Sequence, residues 1–226
     1  MVSKKLMGAW AIFDFLLLAA GAVALALSIV WRRPDILMNM VLSKADLNAG
    51  LALGVALIVT FFISIAAVVQ RNHITIGLVI TNYVLLVDAI GIVVIGSFVW
   101  FYTLEERANF YVLWKAATPQ VRQTLQDKFQ CCGYFNATDF AEIGGFCSSQ
   151  DFLNNLNLNQ TVLSNFCVTP ITGFADTTLN DIFTTVYGFM AIVLCFLLAT
   201  LCVIKKRHED ERFKKIDAKR GGKGFV

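Results

Sequence analysis

The chain has 226 residues, 57% of them hydrophobic and only 15% charged, and its mean hydropathy is +0.66. Soluble domains are nearer roughly 45–50% apolar and about 25% charged, so these totals exclude an ordinary soluble core and point to a membrane protein. The net charge of +3 gains meaning only when divided by side of the membrane, and His73 and His208 stand too far apart in sequence for a His-rich metal or haem site.

A bilayer core needs roughly 20 apolar residues in a helix, and four stretches supply them. After an N-terminal segment over 1–8, the first span covers 9–31 and carries one acid, Asp14. Lys4, Lys5 and the stretch AGAVALALS resemble a cleavable signal. The apolar run is too long for a signal core and Asp14 interrupts it, so a retained span is expected. A short loop over 32–48 leads to an uncharged second span over 49–70. The tight turn 71–73 precedes a third span over 74–102, which carries Asp88. A loop of nearly 80 residues, 103–181, separates it from the uncharged fourth span over 182–204, and a basic tail fills 205–226.

Basic residues mark the cytoplasmic side. Lys4 and Lys5, Arg71, and the run Lys205, Lys206, Arg207 all fall on one side if both termini are cytoplasmic. Arg32, Arg33 and Lys44 in the first loop argue mildly against this. With cytoplasmic termini the inner segments carry net +8 and the outer ones net −3, which favours that orientation.

The large loop holds four of the six cysteines: Cys131, Cys132, Cys147 and Cys167. An outward-facing loop meets an oxidising compartment, where disulfides persist. A vicinal bridge needs unusual backbone geometry, so both surviving pairings tie Cys131 and Cys132 to the two distant cysteines. Two glycosylation sequons, at Asn136 and Asn159, occur in this loop and nowhere else. Phe110, Leu113, Trp114 and Ala117 make one helical stripe, and Val121, Leu125 and Phe129 another. Thr118 and Pro119 read as N-cap and first helical residue, and Gly133 as the left-handed residue at a helix end. From Gly144 to Pro170 the chain is rich in Asn, Ser and Thr. Phe152, Leu153, Leu156, Leu158 and Phe166 there either cover the disulfides as a small core or are presented to a partner.

Four spans, a short first outer loop, a large second one, and CCG followed by YFNATDF resemble the tetraspanin family over nearly the whole chain. The sequence is also similar to the fungal tetraspanins required for appressorium-mediated host penetration. The resemblance implies an all-α membrane protein. Its fold would be a bundle of four transmembrane helices with a small, disulfide-stapled, mainly helical extracellular domain between spans three and four. It further implies the pairing Cys131–Cys167 and Cys132–Cys147. The third family cysteine usually follows Pro-x-Ser, whereas here Cys147 sits in GGFCSS. The family's cytoplasmic acylation sites have one counterpart near the inner interface, Cys202, for which a packing role is the other reading.

Acids inside the membrane are functional hypotheses by default. By helical rise, Asp14 lies about 8 Å inside the inner end of its span, Asn82 at comparable depth and Asp88 near the midplane. Asp14 could then hydrogen-bond Asn82 if spans one and three are neighbours. The three serve as interhelical polar glue, as the lining of the intramembrane sterol cavity that the resemblance suggests, or as an ion path. Gly50-x-x-x-Gly54 and Ala20-x-x-x-Ala24 point to close packing of spans one and two. The tail reads as a stop-transfer anchor with attraction to anionic inner-leaflet lipid.

The expected function is that of a non-enzymatic membrane organiser in the plasma membrane. It binds other membrane proteins laterally and through the large loop, without nucleic acid, metal or cofactor beyond a sterol. The fungal resemblance implies a role in polarised growth and host penetration. No Gly-rich phosphate loop, metal spacing or nucleophile elbow is present in the sequence. The alternative is a four-span ion or proton channel or transporter using Asp14 and Asp88. Four-span junction proteins carry their large disulfide-bonded loop first, the reverse of the order here.

Overall fold

The computed structural model describes residues 3–70, 75–158 and 165–219. Among these, all regular structure is helical, and no strand forms beyond an isolated bridge between Gly144 and Cys147. Four helices, α1 (Lys4–Val30), α3 (Lys44–Val69), α4 (Ile76–Leu104) and α8 (Val168–Lys219), are long and apolar enough to cross a membrane. They mark the chain as an integral membrane protein. Shorter helices are α2 (Ile36–Val41), α5 (Glu106–Ala116), α6 (Pro119–Phe129) and α7 (Gln150–Leu158).

The chain divides into two compact units. The first comprises Met1–Arg33, Lys44–Gly96 and Thr185–Val226. Its core is an apolar seam that includes Leu17, Leu57, Leu78, Leu85, Ile92, Val193 and Phe196. Phe15, Phe62, Val87 and Leu198 point outward, as expected where lipid is the solvent. Lipid removes the hydrophobic drive between helices, so close packing of small residues must hold them. Gly54 supplies it: a Cβ there would lie 2.9 Å from the Leu25 nitrogen and 3.0 Å from the Gly21 carbonyl oxygen. A Cβ on Gly50 would meet Ser28 Oγ at 2.6 Å. The close-approach face of α1 is therefore Gly21, Ala24 and Ser28, with Ala20 buried beside them. Trp10 Nε1 donates to Thr200 Oγ1 at 3.2 Å.

The second unit comprises Pro34–Ser43 and Ser97–Thr184. Sequence reading missed its helix α2, which Asp35 caps by accepting from the Leu37 and Met38 nitrogens. Its buried interior contains Phe110, Trp114, Leu125, Tyr134, Ile171, Ala175 and Leu179. Ile171, Ala175 and Leu179 recur every fourth residue, which explains why α8 begins at Val168 instead of at 182. A polar helix with one apolar stripe gives no hydropathy signal, and Pro170 falls in the first turn, where its missing N–H costs nothing.

Helix α6 departs from its expected stripe. Leu125 is buried, but Arg122 and Gln126 are buried with it, while Val121 and Phe129 are only half-buried. Arg122 earns its place by satisfying the end of α5: Nη1 donates to the Ala117 carbonyl at 2.7 Å. Its Nε and Nη2 donate to Glu142 at 2.9 and 2.6 Å. Leu113 of the first stripe is exposed. The left-handed residue that ends α6 is Gln130, with φ 51° and ψ 51°, rather than Gly133. Thr118 and Pro119 take the N-cap and first helical positions, though the Thr118 side chain makes no capping bond.

Candidate functional site

The cysteine corner begins where α6 stops. Cys131 N donates to the Gln126 carbonyl at 3.1 Å, closing the helix. Cys132 N then donates to the Asn165 carbonyl, Cys167 N to that of Gly133, and Val168 N to that of Tyr134. The stretch CCGY is thus laced by backbone bonds to the entry of α8. Two disulfides lock it, Cys131–Cys167 with Cα atoms 5.0 Å apart and Cys132–Cys147 with Cα atoms 5.9 Å apart. All four cysteines are fully buried. Gly133 has φ 65°, and a Cβ there would sit 2.0 Å from the Asn136 carbonyl oxygen, so this turn requires glycine.

The unusual GGFCSS has a local reason. Gly145 has φ 57°, and a Cβ on it would collide with the Asp127 carboxylate. Asp127 Oδ1 accepts from Phe146 N at 2.7 Å, so α6 holds the turn that delivers Cys147. Gln126 completes the clamp: its Oε1 accepts from Glu142 N at 3.0 Å, and its Nε2 lies 2.8 Å from Cys147 Sγ.

Asn136 is half-buried, and its Oδ1 accepts from Thr138 N at 2.9 Å and Thr138 Oγ1 at 2.5 Å. Asn159 lies outside the described residues, as does the side chain of Leu158. Of the apolar residues considered as partner contacts, Leu153 and Phe166 are 3% and 2% exposed and belong to the interior. Phe152 is half-buried with its ring on Phe146, and Leu156 is half-buried. The apolar side chains that do face outward nearby are Phe135, Phe140, Ile143 and Phe146. They lie between CCG and Cys147, a stretch whose aromatic spacing matches neither a helix nor a strand.

In the first unit Asp14 accepts from Ser64 Oγ, and Asp88 accepts from Thr60 Oγ1 at 2.6 Å. Thr60 and Ser64 lie one turn apart on α3. Both acids are buried. The bond expected between Asp14 and Asn82 is replaced by the one to Ser64. Glycine-mediated packing sets α1 against α3, so α3 supplies the groups within reach of Asp14. Asn82 Oδ1 is buried and has no hydrogen-bond partner. Cys202 and Cys195 are free and exposed on α8, so neither belongs to the buried interior of the first unit. Arg207 in the basic tail is buried and donates from Nη2 to the Val68 carbonyl at 3.4 Å. Among the described residues no group of three or more His, Cys, Asp or Glu is placed to hold a metal ion.

A further pair was not visible in sequence. Glu106, the first residue of α5, is buried, and burial first and the charge of Asp176 on α8 second push its carboxyl up to about 7. The two stand 70 positions apart, and neither sits in a recognisable motif. No family model, no curated protein and no solved structure matches this chain.

Proposed function

We propose that the chain is a tetraspanin-type organiser of membrane proteins, non-enzymatic, with cytoplasmic termini and a glycosylated, disulfide-stapled domain outside the plasma membrane. The observation that carries this reading is the cysteine corner. One helix end anchors two bridges that gather α6, the Cys147 turn and the entry of α8 into a unit lying between the third and fourth long apolar helices. Such a unit holds a surface in place without offering a catalytic constellation. Lateral partners are other membrane proteins, and the exposed Phe135, Phe140 and Ile143 are the contacts we assign to the outer domain. The process we assign is fungal polarised growth and host penetration.

Asp14 and Asp88 act in this reading as polar links to α3. A bound sterol fits beside them through Asn82, whose unpartnered Oδ1 a sterol hydroxyl would satisfy. Labelling by a photoreactive sterol, lost in Asn82→Leu, is the check. Acylation at Cys202 and glycans at Asn136 and Asn159 belong to the same proposal. Asn→Gln changes should each remove one glycan from the mature protein. The ion-path reading gains nothing from the geometry, since each acid is engaged by its own hydroxyl.

The deciding experiment is crosslinking and mild-detergent co-purification from the native cell, followed by mass spectrometry. A discrete set of membrane proteins should be recovered with the wild type and lost with Phe140→Ser/Ile143→Ser, while membrane insertion is unchanged. Recovery of no such set, together with ion flux in liposomes that Asp88→Asn abolishes, would replace the organiser by a channel.

A further inference from the structure

We propose that the cleft where α4 meets α5 holds the headgroup of a phospholipid ending in a primary ammonium, phosphatidylethanolamine, with the ammonium on Glu106 and Glu105 and the phosphate on Arg107. The proposal stands on the second unit and on the chain crossing a membrane, and does not depend on the organiser reading. The cleft has a volume of about 520 Å³ and is lined by Thr103, Leu104, Glu105, Glu106, Arg107 and Ala108. Glu106 is 9% exposed, and no N–H or hydroxyl reaches its Oε2. A buried carboxylate oxygen without a donor is costly, so this wall of the cleft calls for a cation that also donates. Glu105 and Arg107, its neighbours in the chain, are both exposed. The cleft thus offers acids and a base side by side, the complement of a headgroup that carries both charges.

Depth sets the source of the ligand. Helix α4 has 29 residues, about 43 Å by helical rise, close to the roughly 40–45 Å of a bilayer with its headgroups. Its last residue, Leu104, therefore falls in the headgroup layer, and the cleft falls there with it. The aromatic residues agree. Trp100 and Phe101 are exposed one turn before the end of α4, and tryptophan gathers at that boundary. With the exposed Leu104 they present apolar surface to acyl chains next to the charged cleft.

The common headgroups meet this cleft differently. Choline is a cation without an N–H, so it leaves Oε2 unsatisfied. Glycerol donates but carries no positive charge, and serine brings a carboxylate against two acids. Ethanolamine puts N–H donors and the positive charge on one atom, and charge-assisted hydrogen bonds are the strong ones. Its phosphate lies a short link away, within the chemistry of an arginine fork. Burial and then the Asp176 charge hold the Glu106 carboxyl up, against the pull of Arg107, and a bound ammonium is the neighbour that relieves this.

Native mass spectrometry of the full chain in detergent, with lipids of identical acyl chains added one at a time, tests the site. The wild type should retain phosphatidylethanolamine about tenfold better than phosphatidylcholine, the worth of one charge-assisted hydrogen bond. The N-monomethyl and N-dimethyl forms keep an N–H and should stay close to the parent lipid, so the loss comes at the step to choline. Glu106→Gln should abolish the preference and Glu105→Gln reduce it, while Arg107→Gln should weaken retention of both lipids. Glu105 and Arg107 are exposed, so their variants keep the test open if Glu106→Gln fails to fold. Equal retention of the two lipids by the wild type overturns the site, as does unchanged retention in both Glu105→Gln and Arg107→Gln. Soluble phosphoethanolamine bound as tightly as the lipid would assign the cleft to a soluble ligand and overturn the lipid assignment equally.

Discussion

Ser64 has one hydroxyl hydrogen and faces two acceptors, the Phe61 carbonyl at 2.7 Å and the Asp14 carboxyl. Thr60 is placed the same way between the Ala56 carbonyl at 3.0 Å and Asp88. An amide in place of either acid brings its own N–H to the hydroxyl oxygen and leaves the hydroxyl free to serve the helix carbonyl. Asp14→Asn should therefore shift the Tm in detergent by no more than about 2 °C, while Asp14→Leu loses the link and about 1 kcal/mol. Equal damage from both would show that the carboxyl itself is required. Backbone positions give the second prediction at this scale. Gln130 adopts a left-handed conformation that favours glycine, so Gln130→Gly should stabilise the second unit by up to about 1 kcal/mol in denaturant titration. Gly133→Ala should do the reverse by several-fold more, because its Cβ has no room beside the Asn136 carbonyl. The pair separates what the sequence suggests from what the fold uses. CCG draws the eye to Gly133 as a helix terminator, yet the helix ends three residues earlier on a glutamine, and the glycine serves a turn after it.

Among elements, the contact of α1 with α3 is the one most exposed to a single substitution. Gly54→Leu drives a side chain into the Leu25 and Gly21 backbone and should cost about 1–3 kcal/mol or part the helices. Gly91→Leu is the control: nothing lies within 4 Å of the position, and the change should be nearly silent. Fraction folded against added SDS reads both, and equal sensitivity of the two would refute glycine-mediated packing. The four long helices themselves are legible in the sequence, because twenty apolar residues in a row have few other uses. Their ends are not. α8 runs on at both sides of its apolar stretch, and the polar residues from Thr169 to Asp181 carry helix only through the stripe Ile171, Ala175 and Leu179. In the same way Arg122 and Gln126 look like a solvent face of α6 by polarity. They are buried because the end of α5 and the Cys147 turn need donors and acceptors there. Which polar groups a fold must satisfy depends on long-range neighbours, and periodicity holds no record of them. The Glu106–Asp176 pair was hidden for that reason.

On the scale of the whole chain, two units have separate interiors, and the covalent bridges lie in only one of them. By loop closure the Cys131–Cys167 bridge, spanning 36 residues, restrains the unfolded chain by about 4 kcal/mol, and Cys132–Cys147, spanning 15, by about 3 kcal/mol. Both are a large share of the 5–15 kcal/mol or so that a domain typically has. The longer bridge also holds the backbone lacing of Cys132 to Asn165 and of Cys167 to Gly133. Cys131→Ala/Cys167→Ala should therefore destabilise the second unit more than Cys132→Ala/Cys147→Ala, which frees only the turn held by Asp127 and Gln126. Reducing both bridges should open the unit, since its polar loops cannot be fixed by the buried aromatics alone. The first unit has no such dependence: its seam from Leu17 to Phe196 and its glycine contacts are untouched by thiol chemistry. Limited proteolysis of the reduced protein in detergent should accordingly cut between 135 and 165 while fragments over 44–96 stay intact, with most of the helical circular dichroism retained. Cleavage throughout 44–96 under the same conditions would mean that the apolar helices hold together only while the cysteine corner is closed.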